Sequence, residues 1–141
     1  MKKERGFSLI ELLIVVAVLG LIAAIAVPNL RRARLHANQA SAIQSMRTLV
    51  TAQYLYERKY QVYGTLADMN PEGTLDPQLS GGSKSSYAFN ITLGPGGKSF
   101  ATTATPESDQ SILNHFFVDE SAVIRFNYGA AADINSRPIP E

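Results

Sequence analysis

The chain has 141 residues, room for one domain together with a membrane segment, and it contains no cysteine, so disulfide frameworks, thiolate metal sites and cysteine nucleophiles are all excluded. Charged residues make up 18%, against about 25% in an average soluble domain, and a net charge of +1 is not the basic footprint of a nucleic-acid binder. The charge is unevenly placed: Lys2, Lys3, Glu4 and Arg5 precede Gly6, and residues 7–141 hold 10 basic and 11 acidic side chains.

From Phe7 to Val27 the chain is apolar apart from Ser8, Glu11 and Gly20. As a helix rising about 1.5 Å per residue, this run is about 31 Å long and matches a hydrocarbon core of about 30 Å. A cleaved secretory signal is the competing reading, because a basic start, an apolar stretch and the small-x-small set Ala24, Ile25, Ala26 fit that description. Against it, the run from Leu12 to Val27 exceeds the usual h-region of about 7–15 residues, Glu11 is out of place, and Pro28 adjoins the cut. Orientation is not decided by charge, since Lys2, Lys3 and Arg5 on one flank balance Arg31, Arg32 and Arg34 on the other. A carboxylate at Glu11 is disfavoured in lipid by up to about 2.5–3.5 kcal/mol at a helix centre, and by less near an end, so it calls for a partner.

Helical spacing continues past the span. Ala33, Ala37, Ala40, Ile43, Met46 or Arg47, Val50 and Tyr54 recur at three or four residues, which predicts an apolar face on a helix running to about Tyr60. Gly20 costs about 1 kcal/mol relative to alanine, and Pro28 costs about 3 kcal/mol by removing the bond to the Ala24 carbonyl. Two readings stay open here, a weakened section from Gly20 to Pro28 and a simple proline kink. Arg31, Arg32, Arg34 and Arg47 have no acid on the helix before Glu57, so they face water or take partners from the later domain, lipid phosphates or neighbouring chains.

The rest reads as a small sheet. The stretch from Tyr63 to Ser86, with Pro71, Pro77, Gly81 and Gly82, is expected to be a surface loop. Tyr87, Phe89, Ile91 and Leu93 alternate with polar or small residues as a strand with one apolar face, the Gly-Pro-Gly-Gly of 94–97 is a turn, and 98–104 is the returning strand. Residues 112–119 and 122–128 make a second hairpin around Asp119, Glu120 and Ser121. The expected fold class is therefore α+β: a long N-terminal helix whose apolar stripe from Ile43 to Tyr54 covers a four-stranded antiparallel sheet.

Catalytic chemistry finds little support. His36 has no partner at ligand spacing and His115 lies in a strand among aromatics, so structural or surface roles are expected for both. The Gly-Pro-Gly-Gly turn lacks the Lys-Ser/Thr of a phosphate loop, Asp109, Asp119 and Glu120 lack the spacing of a calcium loop, and the Asn-Ile-Thr of 90–92 falls inside a predicted strand. Tyr54, Tyr56, Tyr60 and Tyr63 are accounted for by packing near the helix end. No catalytic residue, metal site or cofactor is expected, and the chain is not expected to be an enzyme.

The N-terminal stretch KKERGFSLIELLIVVAVLGLIAAIAVPNL closely resembles that of type IV pilins and of their relatives, the pseudopilins of type II secretion: a short basic leader, Gly-Phe, a glutamate five residues into the mature chain, and an apolar helix with its glycine and proline. The match is dense over residues 2–34. Beyond it the likeness is limited to the order of helix, loop and sheet, with 116–125 similar to the last hairpin of cysteine-free members.

The resemblance implies the pilin fold, with a leader over 1–6, a transmembrane or filament-core helix over 7–28, an amphipathic helix over 29–62 and a loop-and-sheet globular part over 63–141. It implies that a prepilin peptidase cuts between Gly6 and Phe7 and methylates the new amine of Phe7. It further implies that the chain waits in the bacterial inner membrane with the leader on the cytoplasmic side, and that pilus assembly machinery builds it into a homo-oligomeric helical filament on the cell surface. Phe7 and Glu11 are then the assembly residues, the amine of one subunit meeting Glu11 of another, with an intrachain pair as the competing arrangement. Gly20 and Pro28 are the helix-weakening positions. Two departures bear on this: the C-terminal loop disulfide of many type IV pilins is impossible here, and the calcium-site loop of major pseudopilins is not recognisable. A pseudopilin of a secretion or DNA-uptake system is the alternative reading.

Overall fold

A computed structural model describes residues 6–108 and 110–140. Lys2, Lys3, Glu4 and Arg5 of the leader, and Asp109, therefore lie outside the described residues. The chain divides into two compact units at Ala37–Asn38. In the first, helix α1 (Leu9–Tyr60) begins and runs without interruption through Gly20 and Pro28. Its remainder, from Asn38 onward, belongs to the second unit and ends at Gln61, whose φ of 61° is a left-handed conformation that stops a helix.

In the second unit, α1 buries Ala42, Ser45, Met46, Leu49, Val50, Ala52 and Gln53. This corrects the expected stripe: the face is centred on Ala42, Met46, Leu49 and Gln53, while Ile43 is only partly buried and Tyr54 is 39% exposed, its hydroxyl donating to the Glu120 carbonyl at 2.8 Å. The physical reason is Gln53, a polar residue that an apolar count passes over. It is fully buried, its Nε2 donates to the Gly64 carbonyl at 2.6 Å, and its Oε1 accepts from the Gly64 amide at 3.0 Å.

The stretch after α1 holds two single-turn helices, α2 (Leu66–Met69) and α3 (Pro77–Ser80). Both start at side-chain caps. Thr65 and Asp68 form a reciprocal capping box, and Asp76 accepts from the amides of Gln78 and Leu79. The stretch is more than a surface excursion, because it puts Met69, Leu75 and Leu79 into the core.

Among the described residues the sheet has six antiparallel strands in sequential order rather than four: β1 (Ser83–Lys84), β2 (Tyr87–Leu93), β3 (Phe100–Pro106), β4 (Asn114–Asp119), β5 (Arg125–Tyr128) and β6 (Arg137–Pro138). The four expected strands are β2 to β5. The two additions are two-residue edges, too short to show a period-2 pattern. Gly96 and Gly97 in the β2–β3 turn have φ of 64° and 66°, which favours glycine there. Tyr87, Phe89, Phe100, Ala104, Phe116 and Val118 form the inner face of the sheet and share one core with α1. Tyr87 is buried, its hydroxyl donates to the Asn114 carbonyl at 2.9 Å, and burial raises its pKa to about 12.

Candidate functional site at the start of the helix

The positions singled out by sequence are Gly6, Phe7, Glu11, Gly20 and Pro28, all in the first unit and all exposed. Gly6, Phe7 and Ser8 precede the helix in irregular backbone, so the Gly6–Phe7 peptide lies outside any hydrogen-bonded element. Gly6 has no atom within 4 Å of where a β-carbon would stand. The helix opens at Ser8, whose carbonyl accepts from the amides of Glu11 at 3.1 Å and Leu12 at 3.3 Å.

Glu11 is thus the third helical residue. Its carboxylate Oε2 accepts the backbone N–H of Ser8 at 2.9 Å. This is the glutamate half of a capping box, satisfying one of the amides that a helix start leaves without an intrahelical partner. The carboxylate also stands in the first turn, where the helix dipole favours negative charge. Glu11 thus has a backbone partner in addition to the amine that its charge suggests. The missed signal was legible, since Ser8 followed three residues later by Glu11 and an apolar run is the S-x-x-E signature. In this chain Phe7 is still joined to Gly6, so its nitrogen is an amide rather than an amine.

Gly20 has open space at its β-carbon position, and the helix continues through Pro28. The large apolar residues from Phe7 to Leu30 are between 48% and 80% exposed, and none of the most apolar 18-residue window of α1, whose mean hydropathy is 3.0, is buried. The run is long and apolar enough to cross a membrane.

His115 is buried with Nε2 at 3.0 Å from the Gln110 carbonyl, and His36 is exposed on α1. Asp119 accepts from the amide and hydroxyl of Ser121 in the β4–β5 connection, and Asn90 lies exposed within β2. Among the described residues, no group of three His, Asp or Glu side chains is placed to hold a metal ion. Several acids of the second unit have local partners that hold their carboxyls below the ordinary range: Lys59 for Glu72, Lys84 for Asp76 and Thr65 for Asp68.

Comparison with known proteins points to the same end of the chain. A family model described as a prokaryotic N-terminal methylation motif matches residues 1–27. The type IV major pilin protein PilA of Myxococcus xanthus is 39% identical over 66 residues, 47% of this chain and 30% of that protein. The type IV major pilin protein PilE1 of Neisseria gonorrhoeae is 31% identical over 109 residues, 75% of this chain and 45% of the relative. The type II secretion system core protein G of Escherichia coli is 28% identical over 102 residues, 70% of each chain. The two pilin alignments thus cover less than half of either pilin. No solved structure gives a significant match.

Proposed function

We propose that the chain is a type IV pilin-like protein, the structural subunit of a type IV pilus-like helical filament, made with a leader and assembled through its N-terminal helix, a reading supported by the methylation-motif match over residues 1–27 and by the likeness to type IV major pilins. The observation that carries this reading is the bare apolar surface from Phe7 through the first part of α1 to Leu30. Burying a large aliphatic side chain stabilises by about 1.5–3 kcal/mol, so a run of this kind demands a lipid or protein environment. A bilayer supplies the first, and the same helices packed together in a filament supply the second.

In this reading a prepilin peptidase cleaves after Gly6, in backbone free of helical bonds, and methylates the Phe7 amine. While the chain spans the inner membrane, Glu11 holds the Ser8 amide. In the filament, Glu11 receives the Phe7 amine of an adjoining subunit, which relieves both charges in an apolar setting and fixes axial register. The carboxylate has a second oxygen for this contact, so the cap and the intersubunit pair are compatible. Gly20 and Pro28 let the helix lose bonds where packed neighbours tolerate an extended stretch.

Glu11→Gln tests the proposal. The amide oxygen keeps the cap on Ser8 but the charge is gone, so cleavage and membrane insertion are expected to be intact while filaments are sharply reduced. Wild-type filament yield from Glu11→Gln subunits alone would overturn the register mechanism. Gly6→Val is expected to leave full-length precursor in the membrane, read by mass spectrometry, and a mature chain beginning anywhere but Phe7 contradicts the cleavage assignment.

A second reading, a pseudopilin of a secretion or DNA-uptake system, draws support from the alignment with core protein G over 70% of both chains. Imaging of cells lacking the protein separates the two. Loss of long surface fibres supports the pilin reading, and a secretion or transformation defect with fibres intact supports the pseudopilin.

A further inference from the structure

Immediately beyond the bare apolar surface, α1 carries Arg31, Arg32 and Arg34, all exposed, with His36 exposed one turn further on. From Leu12 to Tyr56 the helix contains no aspartate or glutamate, so the pairing that normally neutralises a charged helix is absent from it. Arg32 and Arg34 thus have no acid at pairing distance along the helix, and an anion for them has to come from outside it.

The position of the cluster fixes what the anion is. If Phe7 to Val27 fills the hydrocarbon, Arg31 to Arg34 lie about 6–10 Å past its end at about 1.5 Å per residue, within or at the rim of the headgroup layer. Long arginine stems from the same turn reach back toward that layer, and a guanidinium presents a planar fork of donors matched to phosphate oxygens. We propose that Arg32 and Arg34 form a docking surface for the phosphates of anionic lipid in the leaflet opposite the leader, which sets the depth of the span before assembly. This rests on the membrane-spanning reading above. Arg32 and Arg34 carry it without requiring that Arg31 be free of other contacts.

The test uses the full, uncleaved chain in detergent micelles doped with equal amounts of phosphatidylglycerol and phosphatidylcholine, with retained lipid counted by native mass spectrometry. Wild type is expected to retain phosphatidylglycerol preferentially, and each arginine replaced by glutamine is expected to lower the ratio about five-fold, so that R32Q/R34Q loses most of the preference. The leader is identical in all variants, so the difference belongs to these side chains. Circular dichroism checks that helix content is unchanged, and K98Q, a charge loss in the second unit, is expected to leave the ratio unaltered. Equal ratios for wild type and R32Q/R34Q overturn the proposal while leaving the membrane reading intact, and a chain that fails to insert into phosphatidylcholine vesicles overturns both. Inorganic phosphate is added as a competitor. If it abolishes the preference at ionic strength matched with chloride, the arginines bind a free anion and the lipid assignment falls.

Discussion

Gln53→Met removes a buried polar side chain that ties α1 to the segment leaving it, at nearly constant volume. In the wild type, both Gly64 backbone groups are met by the Gln53 amide, at 2.6 and 3.0 Å, in a site closed to solvent. Methionine fills the space but leaves a buried N–H and a buried C=O without partners. Each such loss costs about 1–3 kcal/mol, so a total of about 2–4 kcal/mol is expected once partial relaxation is allowed. For a body of about 100 residues, a kilocalorie moves the melting midpoint by roughly 4–8 °C, which gives a fall of about 8–32 °C. Melting of the full chain in micelles, followed by near-ultraviolet circular dichroism of the tyrosines, reads the sheet-bearing unit rather than the apolar helix. A midpoint within about 2 °C of wild type would refute the clamp, because a shift that small corresponds to less than about 0.5 kcal/mol.

Gly20→Ala is accommodated without contact and is expected to stabilise isolated α1 by about 1 kcal/mol. Combined with Pro28→Ala it is expected to slow amide exchange around residues 20–28 in micelles and to reduce filament yield or extensibility, and a filament map with continuous helix through 20–28 contradicts the expectation. The depressed carboxyls of Asp68, Glu72 and Asp76 stabilise the folded state above their ordinary values of 3.8 to 4.5 and lose that contribution as pH falls through the lower folded values. The melting midpoint is therefore expected to decline only below about pH 4.5, and a decline already between pH 7 and 5 would reject these groups as the cause. At the alkaline end, Tyr87 is raised from 10.0 to about 12, so its contribution is present below pH 10 and lost as pH rises toward 12. Ultraviolet titration is expected to show a tyrosine deferred to that range and absent in Tyr87→Phe.

How far the sequence reveals this molecule depends on the residue type that carries each feature. The apolar span, the long helix and strands β2 to β5 rest on periodic runs of large side chains, which are readable without coordinates. The rotation of the buried face was not readable that way. A glutamine that is buried because two backbone groups need it looks like a surface residue, and Tyr54, which resembles a core aromatic, lies exposed with its hydroxyl on Glu120. The caps at Thr65, Asp76 and Ser8 were written plainly in three-residue spacings, but each is visible only when a helix start is sought there. At Glu11 the charge drew the search toward a distant cation, although the nearest donor was the amide three residues upstream.

The outer strands of the sheet bear on how a polymer stays orderly. Each has two residues, and one ends in Pro138, which has no N–H to offer. Open sheet margins are where unrelated chains zip together, most readily when they are long, flat and apolar. A protein stored at high density in a membrane meets its own copies constantly, and a sticky margin there would divert it into tangles. Here the two outermost strands offer almost no ladder of their own to extend, and in the filament proposed above growth is left to the apolar helix.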